Sequence, residues 1–217
     1  MDHLAPPLHR TLREGLSLPR VIFNPLRRAA KGELVGRGRP VLVIPGLATG
    51  DISTTLLRRT LAARGFVPEG WRQGLNTGAH PAKLKRIEQR LETLHEQAGE
   101  KVILIGWSLG GLYARVLGLR VPEHLAMVIT VASPFSGDRR ANRAWRLYEA
   151  INDHKVDNPP FTENPADKPP VPTVAIWSAL DGVVAPARAG RRARRILRCV
   201  SMPRISRSAL HRPVSRR

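Results

Sequence analysis

The chain has 217 residues, of which 42% are apolar and 24% charged, and its formal net charge is +19. This length and this balance are typical of one globular domain with a sizeable core. No apolar run approaches the roughly 18 residues needed to span a bilayer, and the N-terminus carries no apolar leader, so we expect a cytoplasmic protein. The single cysteine, Cys199, excludes an internal disulfide, and no Cys or His cluster at ligand spacing predicts a metal site or a cofactor.

The positive charge is concentrated at the C-terminal end. Residues 188–217 contain eleven arginines and no Asp or Glu, which leaves 25 basic against 17 acidic residues in the rest of the chain. Such a segment has the charge to neutralise phosphate groups, but it has no aromatic residue on which a base would stack. We therefore expect a solvated, disordered basic tail with no specific nucleic-acid partner.

The predicted elements alternate between strand and helix along the chain. Residues 1–39 mix Pro, Arg and Leu and predict helical or edge elements that pack on the core. Strands are expected where short apolar runs occur, at residues 41–44, 66–71, 102–105, 125–131 and 171–177. Helices are expected where apolar residues recur every three or four positions, at residues 53–64 with Ser53 as N-cap, 79–99, 109–119 and 144–151. Because the strands are apolar almost throughout, the pattern predicts an α/β fold with a mostly parallel sheet and helices on both faces.

Residues 134–170 interrupt this alternation. The stretch is rich in proline and too long for an ordinary connection between a helix and a strand. We expect it to form a cap-like excursion over a site, within a core that extends from residue 40 to residue 187.

A serine stands at the turn between the third strand and the helix that follows it. Gly106, Ser108 and Gly110 form the pattern Gly-x-Ser-x-Gly, with Trp107 and Leu109 in the variable places. In a nucleophile elbow, the two glycines let the strand and helix approach closely while the serine adopts strained backbone angles that expose its hydroxyl. The alternative is a glycine-rich turn with no chemistry.

An aspartate follows the last predicted strand. Asp181 lies just beyond residues 171–177, so a parallel sheet would bring it to the same edge as Ser108, where open α/β sheets bind their ligands. A turn residue before Gly182 is the alternative interpretation, since Asp is common in turns.

These features together resemble the α/β-hydrolases, and among them bacterial lipases and esterases. The resemblance rests on Val-Leu-Val-Ile-Pro-Gly-Leu from Val41, Gly-Trp-Ser-Leu-Gly-Gly from Gly106, Val-Ala-Ser-Pro-Phe from Val131 and Ser-Ala-Leu-Asp-Gly-Val-Val from Ser178. It implies an α/β-hydrolase fold and a serine hydrolase that cleaves small ester or lipid substrates without a cofactor.

The resemblance also implies roles for individual residues. Ser108 would be the nucleophile and Asp181 the acid that orients a histidine, while the backbone N–H groups of Leu47 and Leu109 would form the oxyanion hole. Whether Leu47 or Ala48 supplies the loop donor depends on a peptide orientation that sequence does not reveal. Trp107 is expected to be an apolar neighbour of the elbow.

The sequence departs from the family at the catalytic histidine. Only His211 follows Asp181, and no strand-like run precedes it. His154, inside the excursion, is a weaker candidate for the base. His80 is expected to start a helix, and His95 and His124 are expected at the surface.

The C-terminal composition offers an explanation for this departure. After Ala187 the apolar periodicity stops, and a shifted reading of the codons for residues 198–205 is compatible with Val-Arg-Val-Asp-Ala-Ser-His. A frameshifted C-terminus would leave the chain without its last strand, helix and histidine. The alternatives to an active esterase are therefore a catalytically impaired, truncated hydrolase and a basic binding protein on a hydrolase scaffold.

Overall fold

The computed structural model describes residues 33–135 and 145–176. These residues form a sheet of five parallel strands in the order β2-β1-β3-β4-β5. The strands are β1 (Pro40–Ile44), β2 (Val67–Gly70), β3 (Val102–Trp107), β4 (Leu125–Val131) and β5 (Thr173–Ile176). The helices are α1 (Thr55–Ala62), α2 (Pro81–Ala98), α3 (Leu109–Arg120) and α4 (Trp145–Ile151), with short 3-10 helices at Asp51–Thr54 and Pro122–His124.

The apolar strands bury side chains on both faces of the sheet, as their sequence predicts. Successive strand residues point to opposite faces, so Leu42 belongs to the apolar cluster that includes α2 and α3, whereas Val41 and Val43 pack with residues of α1. The predicted fold class is therefore confirmed.

The sequence pattern predicts α2 better than α3. The four apolar side chains expected to bury α2 are all buried, namely Leu84, Ile87, Leu91 and Leu94, and Gly99 ends the helix in the left-handed conformation. On α3, the spacing of Leu112, Val116 and Leu119 indicated one buried face, but residues 113–118 are buried all round. A helix that is packed on both sides has no solvent-exposed face. The periodicity of its apolar residues therefore cannot identify one buried side.

One further expectation is wrong. Ser53 is not a helix N-cap, because it lies within the 3-10 helix and its hydroxyl donates to the carbonyl of Gly50. His95 and His124, expected at the surface, are half-buried, and their rings lie 5.4 Å apart. His80 does precede the first residue of α2, as predicted.

Among the described residues, no helix is long and apolar enough to cross a membrane. Within the same residues, no group of three or more metal-binding side chains comes together. Asp181, His211, Cys199, residues 1–32 and the basic tail lie outside the described part of the chain.

Candidate active site

Ser108 occupies the sharp turn between β3 and α3. Its backbone has φ 52° and ψ −118°, in a region that residues with a side chain rarely adopt. The Ser108 N–H donates to the carbonyl of Val131 at the end of β4, and the Ser108 carbonyl accepts from the N–H of Gly111. These two bonds hold a conformation that costs about 1–3 kcal/mol, and the residue remains partly exposed.

The glycines of the elbow are required by space. A Cβ on Gly106 would overlap the carbonyl group of Gly110, and a Cβ on Gly110 would overlap the carbonyl group of Ile44 in β1. Strand and helix therefore approach as closely as the Gly-x-Ser-x-Gly pattern predicts.

The loop after β1 lies beside the serine. A Cβ on Gly46 would stand 3.3 Å from the Cβ of Ser108 and 3.4 Å from the Cε3 of Trp107. Leu47, the next residue, is therefore close to the elbow, as is Leu109 at the first position of α3. Trp107 is half-buried and acts as an apolar neighbour of this loop.

The orientation of the loop distinguishes Leu47 from Ala48. The N–H of Ala48 donates to the carbonyl of Asn76 over 2.7 Å and is therefore occupied. Within residues 33–135 and 145–176, the N–H groups of Leu47 and Leu109 have no hydrogen-bond acceptor. Of the two loop N–H groups that sequence leaves open, the described contacts occupy that of Ala48 and leave that of Leu47 unbonded.

Asn76 organises this loop, and the sequence analysis missed it. The side chain is fully buried, and its amide Nδ2 donates to the carbonyl of Pro45 over 2.8 Å. Its backbone N–H also donates to the carbonyl of Thr49. The stretch Leu-Asn-Thr-Gly reads as an ordinary turn, so no local signal distinguishes this asparagine from a solvent-exposed one.

An apolar cavity of about 90 Å³ lies next to the elbow. One wall comes from the start of α3, with Leu109, Leu112 and Tyr113. The facing wall comes from the segment after β4 and includes Pro134, Phe135, Tyr148, Val156, Pro159, Phe161 and residues 164–166. The cavity therefore begins one residue from Ser108 and offers mainly apolar surface.

A buried arginine of α3 bonds to the covering segment, which is the part of the chain at residues 145–170 that lies over α3. Arg115 is 4% exposed, and its guanidinium donates to the carbonyls of Pro165, Ala166 and Asp167. Its Cζ lies 4.1 Å from the centre of the Phe135 ring. Burial lowers the pKa of Arg115 to about 10, and nearby Asp167 acts in the opposite direction, so the group is charged at neutral pH. The sequence signal for this contact is a charged residue on an otherwise buried helix.

His154 contacts groups other than the serine. Its Nε2 lies 2.7 Å from the hydroxyl of Tyr148, and its Nδ1 lies 2.9 Å from Oδ1 of Asp153. The hydrogen bond with His154 lowers the pKa of Asp153. Within the described residues, no hydrogen bond links His154 to Ser108. The predicted acid Asp181 and the candidate base His211 both fall outside those residues.

The sheet order, the parallel strands and the strained serine are the features to compare with proteins of known fold. No family model matches the chain. Two solved structures share its fold: Francisella virulence factor BioJ (TM-score 0.54, 13% identity, 79% of this chain and 72% of that one) and a soluble variant of the Saccharomyces cerevisiae monoglyceride lipase (TM-score 0.50, 12% identity, 73% of each chain). The chain therefore has the α/β-hydrolase fold, as the sequence resemblance implies.

Curated relatives add a sequence likeness over a shorter stretch. The chain is similar to the pimeloyl-[acyl-carrier protein] methyl ester esterase of Vibrio campbellii, with 37% identity over 73 residues that make up 34% of this chain and 27% of the relative. It is also similar to the enzyme of the same name from Citrobacter koseri, with 41% identity over 59 residues, or 27% of this chain and 22% of the relative. The match therefore spans about a quarter of the length of these relatives.

Proposed function

We propose that this chain is a serine hydrolase of carboxylic esters, with Ser108 as its nucleophile. The observation that carries the proposal is the strained, partly exposed serine beside a loop donor and an apolar cavity. The likeness to ester hydrolases over part of the chain supports the same conclusion.

In the proposed reaction, each of the site residues has a separate role. The Ser108 Oγ attacks the ester carbonyl carbon and its proton passes to a base, while the N–H groups of Leu47 and Leu109 bind the oxygen that becomes negative. Each such donor is worth about 3–4 kcal/mol in the transition state. The bond to the alcohol then breaks, the alcohol leaves with the proton, and water hydrolyses the acyl-enzyme. Asp181 would orient the histidine base, for which His211 is the candidate in chain order.

The segment over the cavity supports a preference for uncharged acyl groups. Residues 134–135 and 145–170 supply most of one apolar wall, so we propose that residues 134–170 act as a partial cap. Methyl esters of short acyl chains are the first substrates to test, because the curated relatives are named for a methyl ester. A cytoplasmic location stays a prediction.

The experiment is labelling and turnover of the purified chain. We expect a fluorophosphonate probe to label the protein and short p-nitrophenyl esters to be hydrolysed, and we expect Ser108→Ala to abolish both while the fold is retained. Ser53→Ala is the matched control, because Ser53 lies in the 3-10 helix and bonds only locally. Labelling that persists in Ser108→Ala would move the chemistry to another residue.

The coding DNA tests the truncated-hydrolase alternative. If an alternative frame through residues 188–217 is open and encodes Val-Arg-Val-Asp-Ala-Ser-His, the chain lacks its histidine and restoring that frame should raise esterase activity. A shifted frame that soon meets a stop codon would exclude this explanation. Salt-sensitive retention on heparin that depends on residues 188–217, with no probe labelling, would instead favour the basic binding protein.

A further inference from the structure

A tyrosine that lines the cavity has a buried hydroxyl without a hydrogen-bond partner among the described residues. Tyr113 on α3 is 2% exposed and lines the cavity. Its phenol oxygen is buried and makes no hydrogen bond with any residue that the structure describes. Nearly all buried hydroxyls in folded proteins are hydrogen-bonded, because an unpaired one loses its water without replacement.

The other polar groups around the cavity are already bonded. The hydroxyl of Tyr148 bonds to His154, and the side chain of Asn164 bonds to the Ala166 N–H and to the carboxylate of Asp167. The second amide hydrogen of Asn164 belongs to an exposed residue and can bond to water. Tyr113 is therefore the buried side chain of the described cavity wall whose polar atom has no partner among the described residues. Burial, reinforced by Tyr148, raises the pKa of Tyr113 well above its usual value, so the phenol keeps its proton at physiological pH.

The position of Tyr113 relates this hydroxyl to the serine. Tyr113 is the fifth residue of α3, which begins at Leu109 directly after Ser108, so its Cα lies about 6 Å along the helix axis from that of Leu109. Leu109 and Leu112 lie between Ser108 and Tyr113 in the sequence and line the same cavity with apolar surface. An acyl chain that enters the cavity from Ser108 would thus contact apolar side chains first and a hydrogen-bond donor several bonds further along.

We propose that the cavity binds the acyl chain of the ester and that the Tyr113 hydroxyl donates a hydrogen bond to a second oxygen carried by that chain. The site would therefore select acyl groups with a distal carbonyl or ether oxygen over simple alkyl chains. That the bound group is the acyl part of an ester rests on the proposed function. The selectivity for a distal oxygen rests on Tyr113 alone.

The test measures binding without turnover. In a Ser108→Ala background, tryptophan fluorescence or calorimetry would give dissociation constants for dimethyl adipate and for methyl octanoate, which matches it in length but lacks the distal ester oxygens. We expect Tyr113→Phe to weaken adipate binding relative to octanoate binding by about five- to tenfold, as the loss of one neutral hydrogen bond predicts. Tyr148→Phe is the control from the same wall, and we expect it to leave this ratio within about twofold, since that hydroxyl is already bonded to His154.

Three results would overturn the inference. They are an unchanged ratio in Tyr113→Phe, a shift of the ratio in Tyr148→Phe instead, and no binding of either ester. The denaturation midpoint gives an independent readout: we expect Tyr113→Phe to keep or raise it, and a clear fall would mean that the hydroxyl has a partner in the fold. If the wild-type protein hydrolyses no ester but Tyr113→Phe still shifts the binding ratio, the proposed function is refuted and the binding site is retained.

Discussion

Gly46 and Ser108 lie so close together that a methyl group on the glycine would stand 3.3 Å from the Cβ of the serine. The two residues come from the ends of β1 and β3, which are neighbours in the sheet. Because parallel strands end at the same edge, the pairing of these strands brings the loop after β1 to Ser108, the proposed nucleophile.

Gly46→Ala should therefore impair the site more than the fold. The added methyl group contacts Ser108 and Trp107, and we expect a stability loss of about 1 kcal/mol. A displacement of the serine by a fraction of an ångström should lower kcat/KM by about tenfold or more. The control is Gly99→Ala, which is strained at φ +62° but remote from the site. If both variants lower kcat/KM equally, the effect is one of stability and not of contact with Ser108.

Asn76→Ala should release the loop that carries Leu47. The change leaves the Pro45 carbonyl without its donor in a buried position, and we expect a cost of about 1–3 kcal/mol in the free energy of unfolding. We expect kcat to fall more than KM rises, because the proposed role of the Leu47 N–H is to bind the oxyanion in the transition state. Kinetics alongside urea denaturation would measure both effects. Asn158→Ala, at an exposed position, is the control, and full activity in Asn76→Ala would contradict the role of this residue.

Arg115→Met should loosen the segment over the cavity. Methionine keeps much of the apolar stem but loses the hydrogen bonds to carbonyls of residues 165–167, and we expect a cost of about 3 kcal/mol. Urea denaturation measures the stability, and limited proteolysis within residues 152–170 measures the loosening.

Arg120→Met provides the comparison for Arg115→Met. Arg120 bonds to the carboxylates of Glu88 and Glu163 at a partly exposed position, where such pairs contribute at most about 1 kcal/mol. Equal losses in the two variants would mean that the burial of Arg115 has no special effect.

The Arg120–Glu163 pair predicts that the stability of the fold decreases at acidic pH. The hydrogen bond from Arg120 is the main reason that the pKa of Glu163 lies below its ordinary 4.5. The stabilisation is therefore complete above that ordinary value and is lost as the pH falls through the lower, folded-state pKa. We expect Glu163→Gln to remove part of the stability loss between pH 6 and pH 3, by at most about 1 kcal/mol. Glu96→Gln, at an exposed position on α2, should keep the wild-type profile, and an unchanged profile in Glu163→Gln would refute the assignment.

The sequence determined the parts of this protein that depend on local pattern. The apolar runs identify β1, β3, β4 and β5, and the spacing of Leu84, Ile87, Leu91 and Leu94 identifies the buried face of α2. The Gly-x-Ser-x-Gly pattern locates the elbow because only glycine fits where strand and helix backbones meet. Each of these features has its physical cause within a few residues of chain.

The tertiary structure decided what depends on contacts between distant segments. The choice between Leu47 and Ala48 follows from a hydrogen bond to the carbonyl of Asn76, 28 positions further along the chain. The role of Arg115 follows from carbonyls 50 or more residues away. The Tyr113 hydroxyl has no partner among the described residues because of the side chains that surround it there. A hydrogen bond depends on distance and direction in space, and the residue types alone specify neither of these.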